Sequence, residues 1–164
     1  MRLAIISDIH DNLANLDKVL NWVKNNKINK IICLGDITNN DTLAHLATNF
    51  GGEIFVVRGN GEIYDPALFK RHPKLKDLGQ FGVINLGEIK IGCCHKPQEI
   101  DQLFSNHQLD FIFYGHTHKP WLEDRQKTLI ANPGNLAGIF HPATFAILDV
   151  KHRQLELKIL ADLK

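Results

Sequence analysis

Long apolar runs are missing from this chain of 164 residues. No window approaches the roughly 18 apolar residues of a membrane-spanning helix. The opening MRLAIISDIHDN has an apolar run too short for a secretory leader and meets Asp8 at once, so neither anchor nor leader is expected. Excess charge is missing too. Lys and Arg (19) nearly balance Asp and Glu (18), for a formal net charge of +1. No strongly basic face is implied, which argues against nucleic acid or a membrane surface as a partner. Cysteine is scarce: Cys33, Cys93 and Cys94 are odd in number, two are adjacent, and all lie in apolar runs. They read as small core hydrophobes in a reducing, cytoplasmic setting rather than as a disulfide framework. Repeats, low-complexity tracts and linkers are also lacking, so one domain over residues 1–164 is expected. With 44% apolar and 23% charged residues, it is soluble and ordered in type.

What is present alternates. LAIIS reads as a buried strand, and Asp11 or Asn12 can cap a helix carrying Leu13, Leu16, Leu20 and Val23 on one face. A second strand is expected over 31–34, a helix near 42–47 and a third strand over 54–57. Strand, helix, strand, helix, strand is the pattern of a parallel sheet covered by helices. FGVINLGEIKIGCC then reads as a hairpin turning at Gly87-Glu88, and a helix is expected over 97–105 with Pro97 in its first turn. Strands follow over 111–114, 129–131 and 144–150. QLELKIL alternates Leu155, Leu157 and Ile159 with polar residues, as suits a half-exposed strand in an antiparallel pair. The expectation is a mixed α/β fold, parallel first and antiparallel later.

Each of five apolar runs stops at groups able to bind a metal. Asp8 and His10 follow the first, Gly35 and Asp36 the second, and Arg58, Gly59 and Asn60 the third. His95 follows IGCC, and Gly115, His116 and His118 follow FIFY. In an α/β sheet, groups beyond the carboxyl ends of the strands share one crevice. Residues two apart in extended chain point to the same side, so the DxH and HxH pairs can each converge. Gly35, Gly59 and Gly115 suit sharp turns or a close approach of backbone to an ion.

Seven oxygen and imidazole donors exceed the needs of one zinc and suit two ions sharing a carboxylate. A single structural metal needs only four of them. Manganese is the first expectation, with iron, nickel, cobalt and zinc compatible with the same donors. Two divalent ions bring roughly +4, Asp8 and Asp36 return −2, and a bridging hydroxide leaves about +1. Such a cationic cavity matches a phosphoryl group, particularly a singly charged diester, and paired ions can activate a shared water for attack on it.

The series DIH, GD, GN, His95 and GHTH resembles the calcineurin-like metallophosphoesterase superfamily, in the same order and over nearly the full chain. SDIHDNLANL, VVRGN and NPGN resemble its compact prokaryotic phosphodiesterases of the YfcE type. The resemblance implies two packed mixed β-sheets flanked by helices, an αββα sandwich, with the site at one edge. It implies that Asp8, His10, Asp36 and His118 hold one ion and that Asp36, Asn60, His95 and His116 hold the other, with Asp36 as the bridge. Asp36, Asn60 and His95 are the expected catalytic residues, and a small phosphoester is the expected substrate.

Two departures stand out. Many relatives carry His or Cys after the GN pair, where the His can protonate the leaving group, but Gly61 stands here. HKP replaces the usual HG, so Lys96 either touches substrate phosphate or points to solvent. Asn12 and Asn135 border the expected site as substrate contacts or as cap and turn residues, and His141 is a candidate for the missing acid. His45, His72, His107 and His152 read as surface residues. The fold also resembles the retromer scaffold subunit, so a catalytically weak metal-binding scaffold is the alternative. The sequence leaves oligomeric state open, a homo-oligomer included.

Overall fold

A computed structural model describes residues 1–163. The first 56 residues alternate strand and helix: β1 (Arg2–Ile6), α1 (Leu13–Asn25), β2 (Lys30–Cys33), α2 (Asn40–Asn49) and β3 (Glu53–Val56). A short helix α3 (Ala67–Arg71) leads to β4 (Leu75–Asp77), then to the hairpin β5 (Phe81–Leu86) and β6 (Ile89–Cys94). A 3₁₀ turn Pro97–Glu99 runs into α4 (Ile100–Asn106), followed by β7 (Phe111–Phe113), β8 (Trp121–Arg125), β9 (Thr128–Asn132), β10 (Thr144–Asp149) and β11 (Gln154–Ile159).

These strands form two mixed sheets. One has the order β11-β10-β1-β2-β3-β4, with β1 to β4 parallel and β10 and β11 antiparallel. The other has the order β5-β6-β7-β9-β8, with β6, β7 and β9 parallel and a hairpin partner at each edge. The second half is therefore not simply antiparallel, as the sequence had suggested. Its hairpins are antiparallel, but the chain crosses over between β6 and β7 through α4, and such a crossover makes strands parallel.

Strand periodicity builds the layers. Ala4 and Ile6 of β1 point to a core shared with Leu16, Val19 and Val23 of α1 and Leu43, Leu46 and Ala47 of α2. Leu3 and Ile5, on the opposite face, pack between the sheets against Ile32, Leu34, Ile91, Phe111 and Phe113. Ile112 and Ile130, on the far face of the second sheet, meet Ile100 and Leu103 of α4. The result is helices, sheet, sheet, helix, each strand alternating sides every second residue. Fully burying one Ile or Phe here stabilises by about 1.5–3 kcal/mol.

Local chemistry explains the element ends. Asn12 caps α1 by accepting from the Asn15 N–H at 3.1 Å, and Asn39 does the same for α2 from Thr42 at 2.9 Å. Gly87 turns the hairpin with φ of 66°. Leu13, expected on the buried face of α1, is exposed, and Val19 completes that face instead. The three cysteines are buried and free. β4, α3 and β8 had no sequence signal, because β4 buries only Leu75 and β8 is a charged edge strand whose Trp121 and Leu122 face out. Among the described residues no helix is long and apolar enough to cross a membrane.

Candidate metal centre

The carboxyl ends of β1, β2 and β3 in one sheet and of β6 and β7 in the other open at the same edge of the sandwich. Backbone hydrogen bonds stitch the loops beyond them together: Asp8 N–H to Gly35 O, His10 N–H to Asp36 O, and Gly115 N–H to His95 O, each 3.0 Å. Close approach demands glycine in these loops. A Cβ on Gly115 would strike the Ser7 hydroxyl and the Asp8 carboxylate, and one on Gly59 would strike Asp36. Asp8, His10, Asp36, His116 and His118 all adopt positive φ, between 44° and 68°. Asp and His tolerate that region better than bulky or branched residues.

Two groups of side chains gather there. In one, ligand atoms of Asp8, His10 and His118 lie within 4.8 Å of one another, and in the other those of Asp36, His95 and His116 do the same. Asn60 joins the second group, its Oδ1 lying 3.2 Å from His95 Nε2. Asp36 Oδ2 stands between the groups, 3.6 Å from His10 Nε2 and 3.4 Å from His95 Nε2. All seven residues singled out in the sequence thus meet in one place.

Each carboxylate commits one oxygen to the protein and leaves the other. Asp8 Oδ2 accepts from the Ser7 hydroxyl at 2.5 Å and from the His116 N–H at 3.0 Å, while its buried Oδ1 has no hydrogen-bond partner. Asp36 Oδ1 accepts from the Gly61 N–H at 2.8 Å. His95 Nδ1 donates to the Leu34 carbonyl at 2.7 Å, which fixes one proton there and turns Nε2 toward Asp36 Oδ2 and Asn60 Oδ1. His10 Nε2 and His118 Nε2 face each other at 3.2 Å, and His118 Nε2 lies 3.3 Å from Asp8 Oδ1. Carboxylate and amide oxygens and imidazole nitrogens converge in both groups, and the buried Asp8 Oδ1 is left without a donor. That arrangement calls for cations, and the oxygen and imidazole donors fit divalent metals.

Electrostatics agrees. Burial pushes the Asp8 carboxyl above its ordinary range, the mark of a buried anion short of positive charge. Burial would raise Asp36 as well, but hydrogen bonds from His95 and Gly61 and the nearby imidazoles bring it down to about 2. Burial would lower His95, yet its contact with Asp36 lifts it above the usual imidazole value.

Four further candidates separate. Asn12 uses both ends structurally, its Oδ1 capping α1 and its Nδ2 donating to Ala137 O at 3.0 Å. Asn135 is fully buried; its Nδ2 donates to His118 O at 3.0 Å and its Oδ1 accepts from Gly138 N–H at 2.7 Å. Both asparagines brace the loops behind the site, each through one amide N–H and its amide oxygen. Half-buried His141 belongs to neither ligand group. Lys96 lines a cavity beside Asn60 and His95.

Sequence reasoning missed three supports. Ser7 locks Asp8, and Asn132 holds Gly115 O and the Thr117 hydroxyl at 2.8 and 3.1 Å. Glu62 accepts the backbone N–H groups of Ile37, Thr38 and Gly59. The only available signal was their position beside the motifs.

Residues 1–153 match the family model of the calcineurin-like phosphoesterase superfamily domain. The chain belongs to that superfamily. As a calcineurin-like phosphoesterase it falls among hydrolases of ester bonds. It is 25% identical over 169 residues to phosphodiesterase YfcE of Escherichia coli, covering 91% of this chain and 88% of the relative. Its fold superposes on an archaeal phosphodiesterase with a TM-score of 0.86 at 21% identity, over 97% of this chain and 99% of the other. It also superposes on Vps29 of Entamoeba histolytica, solved with Zn²⁺, with a TM-score of 0.74 at 20% identity, over 100% and 95% of the two chains.

Proposed function

We propose that this phosphoesterase hydrolyses small phosphodiesters with two divalent cations. Asp8, His10, Asp36 and His118 would hold one ion, and Asp36, Asn60, His95 and His116 the other. The observation that carries this reading is Asp36 Oδ2, a single anionic oxygen within 3.6 Å of an imidazole nitrogen from each group. Bound there, two ions would neutralise phosphate charge and lower the pKa of a shared water.

The chain's own residues supply the rest. Ser7 and the His116 N–H orient Asp8, Leu34 O sets the His95 tautomer, and the Gly61 N–H fixes Asp36, so the donors are held in place before anything binds. Gly61 offers no side chain to protonate a departing alkoxide, which favours esters whose leaving group departs as a stable anion. Manganese, a cytoplasmic setting and a single domain over 1–164 belong to the same reading; the donor set supports the first and three free buried cysteines the second.

The test is hydrolysis of bis(p-nitrophenyl) phosphate with added Mn²⁺, alongside metal content. Turnover together with two ions per chain is expected. The second reading is a metal-holding scaffold, favoured by the absence of an acid at Gly61 and by the exposed Trp121, Leu122 and Leu157. A protein that keeps two ions and leaves the diester intact would establish the scaffold instead.

A further inference from the structure

Beside the Asn60 and His95 end of the site lies a cavity of about 400 Å³, within the range of small-ligand pockets. Arg58, Tyr64, Gln80 and Lys96 form its wall with Asn60 and His95. Two carboxylates also border it, and both are already engaged. Glu62 accepts backbone N–H groups at 3.2, 2.8 and 3.2 Å, and Glu99 accepts those of His95 and Lys96 at 3.2 and 2.9 Å. The donors are not all engaged. Arg58 pairs with Asp77 through one terminal nitrogen, but its Nε is buried without a partner, and so is the Tyr64 hydroxyl. Lys96 forms no salt bridge among the described residues. With both Glu62 oxygens and one Glu99 oxygen turned to backbone N–H groups, and with buried donors left free, the cavity favours acceptors, above all charged ones.

We infer that this cavity is a specificity subsite: it takes a second part of the phosphoester substrate, and that part carries an anionic group of its own. Lys96 supplies the charge, and the free Arg58 Nε and the Tyr64 hydroxyl donate the orienting hydrogen bonds. The subsite rests on the phosphoester reading above, because the phosphoryl group must sit against Asn60 and His95 for the substituent to enter here. It is the polar counterpart of the leaving-group preference set by Gly61, and it acts on a different part of the substrate.

The test compares two phosphate monoesters of one skeleton, 3-phosphoglycerate and glycerol 3-phosphate, which differ by a carboxylate in place of a hydroxymethyl group. Each is titrated calorimetrically into the Mn²⁺-loaded protein, with bis(p-nitrophenyl) phosphate turnover measured in parallel. One added charged hydrogen bond corresponds to about tenfold tighter binding of 3-phosphoglycerate. That ratio is expected to approach one in Lys96→Gln and to shrink severalfold in Tyr64→Phe. Diester turnover with equal affinities for the two probes overturns the subsite and leaves the phosphoester reading standing. A preference that survives in both variants assigns it to the metal centre and also overturns the subsite. Absence of both turnover and phosphate binding overturns the two readings together.

Discussion

Exchanging Asp36 for Asn separates a bridging carboxylate from an ordinary ligand. The side-chain volume is kept, and the amide oxygen can still accept the Gly61 N–H now bonded to Oδ1 at 2.8 Å. The amide nitrogen then takes the place of Oδ2, 3.6 Å from His10 Nε2 and 3.4 Å from His95 Nε2. A donor bearing partial positive charge replaces an anion at the one atom that faces both groups. Loss of one charge-assisted contact costs about 1.5–3 kcal/mol, or about ten- to hundredfold in affinity. Because Oδ2 serves both groups, both ions should weaken by that factor. His95→Ala is the control: its Nε2 belongs to one group only, so metal content should fall from two ions to one per chain. The assay is elemental analysis after gel filtration at fixed free Mn²⁺, with calorimetry for the individual affinities. One ion retained by Asp36→Asn at wild-type affinity would refute the bridge.

The metal-free protein should show opposite pH dependence on two sides. Asp36 is depressed from 3.8 to about 2, so its contribution is present above pH 3.8 and lost as pH falls through about 2; His95 is raised above 6.5, so its contribution is complete below 6.5 and lost as pH rises through the raised value. Melting temperature without metal should therefore fall on the alkaline side, whereas metal affinity should rise there, since His95 must shed its proton to bind; a steady alkaline rise in metal-free stability would contradict the His95–Asp36 pairing. Aryl diesters should exceed alkyl diesters by at least about a hundredfold in kcat/KM, the lower end of what a general acid contributes, and Gly61→His should narrow the gap. A Cβ there would sit 3.3 Å from Asp36 Oδ1, tight but not a clash, and equal rates on both ester classes would defeat the argument. Chelation should lower thermal stability, because free metal at 100 times its Kd stabilises by about 2.7 kcal/mol, or about 5–10 °C for a chain of this size. A melting temperature indifferent to chelator would mean that no cation is bound.

Much of the fold was legible because burial leaves a period. LAIIS, IIC and FIF are apolar on both faces, as strands covered on both sides must be, and the alternation of Leu3 and Ile5 against Ala4 and Ile6 divides two real cores. β8 and β4 left no such trace: an edge strand owes its place to backbone pairing with one neighbour, and WLEDR carries the charges that edges favour. Parallel pairing of β6, β7 and β9 was equally hidden, since sheet order depends on contacts distant in sequence. The ligands were legible because they follow strand ends at fixed spacing. Ser7, Glu62 and Asn132 were not, for a hydrogen bond to a loop backbone has no period.

The same loops show why the ligands sit where they do rather than within strands. Asp8, His10, Asp36, His116 and His118 hold left-handed backbone, which costs on the order of 1 kcal/mol or more at each residue. Asp8 adds the burial of an anion with an orphaned oxygen. Chain chosen for folding alone would relax these positions to Gly or Asn and would let the two imidazole pairs separate. The hydrogen bonds that Asp8 accepts from the Ser7 hydroxyl and the His116 N–H, that Asp36 accepts from the Gly61 N–H, and that His95 Nδ1 donates to Leu34 O oppose that separation. A sandwich can bear this strain because its cores do not depend on the loops: Ile5, Ile32, Phe111 and Phe113 pack between the sheets whatever the strand ends carry. Rigid sheets hold mutually repelling acceptors at a fixed separation, and a cation placed between them offsets the repulsion without moving the backbone. Binding then relieves electrostatic repulsion already built into the fold while the donors keep their places, which is what a preorganised metal site requires.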